Sequence, residues 1–233
     1  MKKPSLIFVF LPIALFIGAG SALAQEIRVN ILEGEAWVSQ AGPNAAEQAI
    51  DKGQQLGPGQ VIRTQAGAKL ELLVPGIGIL RLGPSSVLRV TPSPVGRQAG
   101  SGSPACAVLV SGNLWANADM GDHQAPMAIA TGTCLAKTKN GVFRMTVHPD
   151  HTLEVRDYGG TIEVSGVKPP PASSPKTTAP ATWEYQLTLH TKIVVWSNGR
   201  ATRPFRFVAE GDLTPWVEWN LQRDGAAAGP PSP

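Results

Sequence analysis

The chain has 233 residues, of which 42% are hydrophobic and only 16% charged, with 25 glycines and 21 prolines. That length suffices for one compact domain, or one domain with a small appendage. A formal net charge of +3 lacks the electrostatic footprint of a nucleic-acid binder.

Residues 1–24 read as an export signal. Lys2 and Lys3 form a positive start, an uncharged apolar run extends from Leu6 to Ile17, and Ala22-Leu23-Ala24 places small residues where a signal peptidase reads them. Cleavage after Ala24 is expected, giving a periplasmic or secreted protein that meets the membrane only through its signal. The rival reading is an uncleaved anchor, which needs about 20 apolar residues. Pro12, Gly18, Gly20 and Ser21 dilute this run, and no cysteine follows it for lipid attachment. Cleavage leaves 209 of the 233 residues and removes two basic side chains and no acidic one, so the mature chain carries a charge of +1.

From residue 61 onward, short β-type runs begin every eight to ten residues, with Gly and Pro between them. The runs are 61–64, 69–74, 79–82 and 87–90, joined by Gln65-Ala66-Gly67-Ala68, Pro75-Gly76-Ile77-Gly78 and Gly83-Pro84-Ser85-Ser86. Leu70, Leu72 and Val74 alternate with Lys69 and Glu71, the period-two pattern of a strand with one face in a core and one in water. Residues 96–104 read as an exposed loop. Further strands are expected at 108–110, 114–116, 127–131, 142–147, 153–156 and 161–164, with Tyr158-Gly159-Gly160 as a turn. The spacing predicts an all-β fold of short stacked strands, partly solenoid-like or sandwich-like, over 25–166.

Residues 167–182 break the pattern. Five prolines there predict a semi-rigid linker. Residues 183–224 hold four of the six tryptophans, in three strand-like runs (183–189, 191–196 and 203–208) followed by a short helix. Thr214 can cap that helix and Pro215 suits its first turn. Leu213, Trp216, Val217 and Leu221 would form its apolar stripe. This segment is too small to fold alone and too apolar to leave in water, so it is expected to pack on the β domain. Residues 225–233 are expected to form a disordered tail.

The middle of the chain resembles the FecR-type domain. The matching blocks are Gly34-Glu35-Ala36-Trp37-Val38, Leu56-Gly57-Pro58-Gly59-Gln60-Val61-Ile62-Arg63-Thr64 and Leu80-Arg81-Leu82-Gly83-Pro84-Ser85-Ser86-Val87-Leu88-Arg89-Val90. Ser111-Gly112-Asn113-Leu114-Trp115, Asn140-Gly141-Val142-Phe143-Arg144-Met145 and Gly160-Thr161-Ile162-Glu163-Val164 follow in the family's order, covering about residues 30–165. Pro75-Gly76 and Asn140-Gly141 depart from the usual turn residues. Trp216 to Asp224 is similar to the W-x-x-W-N-x-x-R-D ending of some exported FecR-domain proteins. The resemblance implies an all-β domain. Regulators with this domain also carry a cytoplasmic segment that contacts a sigma factor, and here only Met1 to Lys3 precede the apolar run, so that output is not expected of this polypeptide.

Candidate sites are few. Cys106 and Cys134, in an oxidising compartment, are expected to form one disulfide. A catalytic or ligand thiol is the rival, with no CxxC motif to support it. His148, Asp150 and His151 are the strongest metal candidates, yet Pro149 and Asp150 also suit a polar hairpin tip, and a site needs three or four converging ligands. His123 and His190 are isolated. Trp183, Trp196, Trp216 and Trp219 offer either a sugar-stacking surface or core. No nucleophile elbow, H-E-x-x-H motif, dinucleotide loop or carboxylate pair is identifiable, and no cofactor is expected. The leading expectation is an exported, non-catalytic binding or assembly module of the cell envelope with an unknown protein or cell-wall partner. The alternatives are a sensory or regulatory partner of a separate membrane signalling protein, and a wall-active enzyme.

Overall fold

The computed structural model describes residues 27–42, 45–91, 105–118, 126–168 and 181–227. The expected signal and most of the Pro-rich linker and tail lie outside them. The chain is all-β with one α-helix, in the order β1 (Ile27–Glu33), β2 (Ala36–Gln40), β3 (Gln48–Ala49), β4 (Gln55–Leu56), β5 (Gln60–Thr64), β6 (Lys69–Val74), β7 (Gly78–Leu82) and β8 (Val87–Val90). Then come β9 (Ala107–Asn117), β10 (Met127–Ala130), β11 (Cys134–Thr138), β12 (Gly141–Val147), β13 (Leu153–Lys168), β14 (Ala181–Thr188), β15 (Thr191–Val195) and β16 (Phe205–Arg206). A 3-10 turn at Glu210–Asp212 leads into α1 (Pro215–Ala227).

The strands form one continuous sheet folded into two layers. The first layer runs β4-β1-β6-β7-β9-β12-β13-β15-β16. The second runs β3-β2-β5-β8-β9-β10-β11-β13-β14. Strands β9 and β13 belong to both. Ala107 to Ser111 pair in the second layer and Gly112 to Asn117 in the first. Leu153 to Gly160 pair in the first layer and Thr161 to Lys168 in the second.

Glycines make both crossings. Gly112 has φ +86° and would drive a Cβ to 2.6 Å from the Cα of Ser86, while Gly160 has φ +83° and would place one 2.1 Å from the carbonyl oxygen of Asn140. Only glycine fits such a conformation at such an approach. The sequence divides β9 into two strands and reads Tyr158-Gly159-Gly160 as a turn. The structure corrects both: each strand runs on through its glycine and changes layer.

Alternation sets the core. Leu70, Leu72, Leu80, Leu82, Leu114, Phe143, Met145 and Val155 of the first layer meet Ile62, Leu88, Leu109, Ile129, Ile162 and Val164 of the second in one buried cluster. Leu187, Ile193 and Val195 join it, so the C-terminal strands share the core of the β domain. Strand β14 lies beside β13 from Thr161↔Thr188 to Lys168↔Ala181, and only 169–180 of the expected linker separates these two paired strands.

The outer face of the first layer carries Glu71, Arg81, Trp115, Asn117 and Arg144, all buried. They are covered by α1 and, at Arg144, by Asp212 of the 3-10 turn that leads into it. Thr214 caps the helix, its Oγ1 accepting from Val217 N at 3.3 Å. The docking face differs from the expected stripe. Leu213 and Leu221 are 47% and 40% exposed, whereas Trp216, Val217, Trp219 and Asn220 are buried. Polar groups on the sheet decide this: the face that docks must carry Asp224 down to Arg81. The helix also continues through Gly225 to Ala227, into the stretch expected to be a tail.

Candidate functional site

Residues at one end of the second layer frame an open groove of about 910 Å³. Its floor is β13 at Ser165 to Val167, its sides are the β10–β11 turn (Thr131 to Leu135) and the start of β14 (Thr182 to Glu184), and Ser197 to Gly199 close one end. Trp183 is the aromatic wall. Its indole crosses above Gly166, where a Cβ would lie 2.3 Å from the ring, and its Nε1 donates to the carbonyl of Gly199 at 2.9 Å. Tyr185 sits beside it with ring centroids 5.8 Å apart. The polar lining consists of the hydroxyls of Thr131, Thr133, Ser165, Thr182 and Ser197, the amide of Asn198 and one carboxylate, Glu184. Such a set donates and accepts neutral hydrogen bonds.

Cys134 lines this groove and Cys106 begins the neighbouring strand pair. Both are buried free thiols, and the expected disulfide is not formed. The register explains why. Strand β10 lies between them, Cys106 level with Ala128 and Cys134 level with Thr131. Two strand spacings sideways and three residues along place the cysteines roughly 14 Å apart, about twice the reach of a disulfide. Burial pushes the Cys106 thiol up to about 11 and the Cys134 thiol up to about 12, so neither is a ready nucleophile.

His148, Asp150 and His151 form the β12–β13 hairpin tip. His151 N donates to the His148 carbonyl at 2.9 Å, and Asp150 accepts from Thr152 N at 2.9 Å, which with the Thr152 hydroxyl holds the exposed Asp150 carboxyl below its ordinary range. The two histidines line different cavities. Among the described residues, no three His, Cys, Asp or Glu side chains are grouped to hold a metal.

The four tryptophans divide. Trp216 and Trp219 stack at 5.4 Å and pack with Val217 against Trp115, while Trp196 is 44% exposed. Trp183 lines the groove of about 910 Å³, and Trp216 lines a smaller cavity of about 450 Å³ beside Arg144 and Arg156.

Two carboxylates from the C-terminal segment clamp the outer face of the first layer: Asp224, the last residue of the W-x-x-W-N-x-x-R-D ending, and Asp212, which sequence reasoning did not single out. Asp224 accepts from Arg81 Nη1 at 2.6 Å, Trp115 Nε1 at 2.9 Å and Asn117 Nδ2 at 2.8 Å, while Glu71 holds Arg81 Nε at 2.6 Å. Asp212 accepts from Arg144 Nη2 at 2.9 Å and also from Arg156 and the Tyr158 hydroxyl. Burial opposes ionisation of Asp212, but Tyr158, Arg156 and Arg144 outweigh it and hold its carboxyl below the usual range. Trp219 Nε1 donates to Glu33 at 2.9 Å and Arg223 lies over the Trp219 ring at 4.4 Å. The W-x-x-W-N-x-x-R-D ending is thus a docking device. The signal for it was the spacing of Trp216, Trp219, Asn220, Arg223 and Asp224, which shares one helical face.

No family model matches the chain, and no curated protein matches it. Two crystal structures of a candidate anti-sigma factor from Parabacteroides distasonis are similar in fold. The 1.65 Å structure is 19% identical with a TM-score of 0.48, the match covering 67% of this chain and 64% of that one. The 2.50 Å structure is 19% identical with a TM-score of 0.45, covering 64% and 61%. The chain thus spans less than two thirds of the structures it matches.

Proposed function

We propose that this chain is an exported, non-catalytic binding or assembly module of the cell envelope, which engages a protein or cell-wall partner through its β surface. The groove beside Trp183 carries the reading. Its hydroxyls, amide and exposed backbone suit the amides of a peptide or the hydroxyls of a sugar, and the indole offers either one an apolar contact. A single carboxylate and a protonated, buried thiol do not supply the acid–base pair or activated nucleophile that hydrolysis of either polymer needs.

A photo-crosslinking residue at Thr133 in the groove, against one at the exposed Lys52, tests this in cells. Envelope adducts formed at Thr133 and absent at Lys52 are expected, and equal labelling at both positions refutes the groove as the binding surface. The second reading, a regulatory partner of a separate membrane signalling protein, is favoured by the FecR-like order of the blocks. It is distinguished by the identity of the adduct: a membrane signalling protein supports it, and wall fragments speak for the first.

A further inference from the structure

We infer that the exposed edge of β14 pairs with the same strand of a second copy of this chain, joining the two second layers into one sheet. Each layer has two outer strands. Three of these four, β3, β4 and β16, are only two residues long. Such short strands leave little backbone for a neighbour to pair with, a common protection against edge association. The fourth edge, β14, differs. It has eight residues in unbroken register with β13, and the sequence ATWEYQLT contains no proline and no lysine. Among the described residues no strand pairs with its other side, although at its end the Thr191 hydroxyl already bonds the Thr188 N–H and carbonyl. A long edge of this kind invites another strand.

The sequence indicates which strand. Thr182-Trp183-Glu184-Tyr185-Gln186-Leu187-Thr188 reads nearly alike in both directions about Tyr185. Two copies running antiparallel about a two-fold axis at Tyr185 place Thr182 opposite Thr188, Trp183 opposite Leu187, Glu184 opposite Gln186, and Tyr185 opposite itself. Residues directly opposite in an antiparallel pair share a face. The outer face thus pairs threonine with threonine and a carboxylate with a carboxamide donor. On the inner face Tyr185 meets Tyr185, while Trp183 lies level with Leu187, which is already buried in the core of its own copy. Moving the axis to Glu184 sets two carboxylates against each other. The pairing is self-complementary, which a two-fold interface requires.

Sedimentation equilibrium on the purified protein tests this. Glu184 and Gln186 are exposed, and Gln186 lies outside the groove, so substitutions at Gln186 read the edge and leave the proposed binding groove intact. The wild type is expected to be a reversible dimer. Gln186→Glu opposes two pairs of like charges across the interface, besides facing Glu163 within its own copy, and should raise the dimer dissociation constant roughly tenfold. Adding Glu184→Lys turns both pairs into attractive ones and should restore the dimer. A monomeric wild type, a dimer indifferent to Gln186→Glu, or a double substitution that fails to restore association overturns the inference.

Discussion

Replacing Asp224 by alanine tests whether a polar clamp, more than an apolar stripe, holds the C-terminal helix. The Asp224 carboxylate accepts from Arg81, whose side chain is 1% exposed, and from Trp115 Nε1 and Asn117 Nδ2. Truncation leaves Glu71 to neutralise Arg81 alone and takes the acceptor from the buried indole. Removing one partner of a buried ion pair costs about 3–5 kcal/mol, and a buried donor without its acceptor about 1–3 kcal/mol. Asp224 sits near the end of α1, where the last turn can fray and admit water, so the lower end applies. A loss of about 3 kcal/mol lowers the melting temperature of a domain of this size by roughly 6–12 °C. Leu221→Ala on the exposed side of the same helix should change stability by less than about 0.5 kcal/mol. Thermal melts followed by circular dichroism check both. If Asp224→Ala melts with the wild type, the carboxylate clamp does not hold the helix down.

Three further outcomes are expected. Asp157 points to the core side of β13 beside Val155, and burial raises its carboxyl to about 6 despite the hydrogen bond from Gly159 N and the nearby His190. The folded state therefore holds this proton more tightly than the unfolded state, so the contribution of Asp157 to wild-type stability falls as pH rises from about 4 to about 6, by on the order of 2–3 kcal/mol. Asp157→Asn should lack that dependence in denaturant titrations across this range, and a stability difference between the two proteins that is constant with pH refutes the assignment. Cys106 and Cys134 should resist a thiol-blocking reagent in the native, non-reduced protein and both react once it is unfolded in denaturant without reductant, as counted by mass spectrometry. Failure to react after unfolding would reveal a bond between them. Protein recovered from the cell envelope should begin at Gln25 by intact mass, and a species retaining Met1 speaks against a cleaved export signal.

The sequence by itself determined strands such as β6 and β12, though it did not single out β1, β3, β4 or β11. Period two in Lys69 to Val74 and in Val142 to Val147, punctuated by Gly and Pro, needs no long-range information, because alternation and turn chemistry are local properties of the backbone. The start of the helix was legible for the same reason, in Thr214 and Pro215. The tertiary structure alone decided what those faces meet. Glu71 and Arg81 occupy the polar phase of their strands and read as solvent-facing, yet a helix well over a hundred residues later buries them under Asp224. The crossing at Gly160 looked like a local turn and the one at Gly112 like a gap between two strands, because a glycine at positive φ serves a hairpin and a layer change equally well. The cysteines looked like a pair because spacing in sequence says nothing of strand order, and β10 stands between them. Register, layer and the partner of a polar face are properties of residues distant in the chain, which no local pattern encodes.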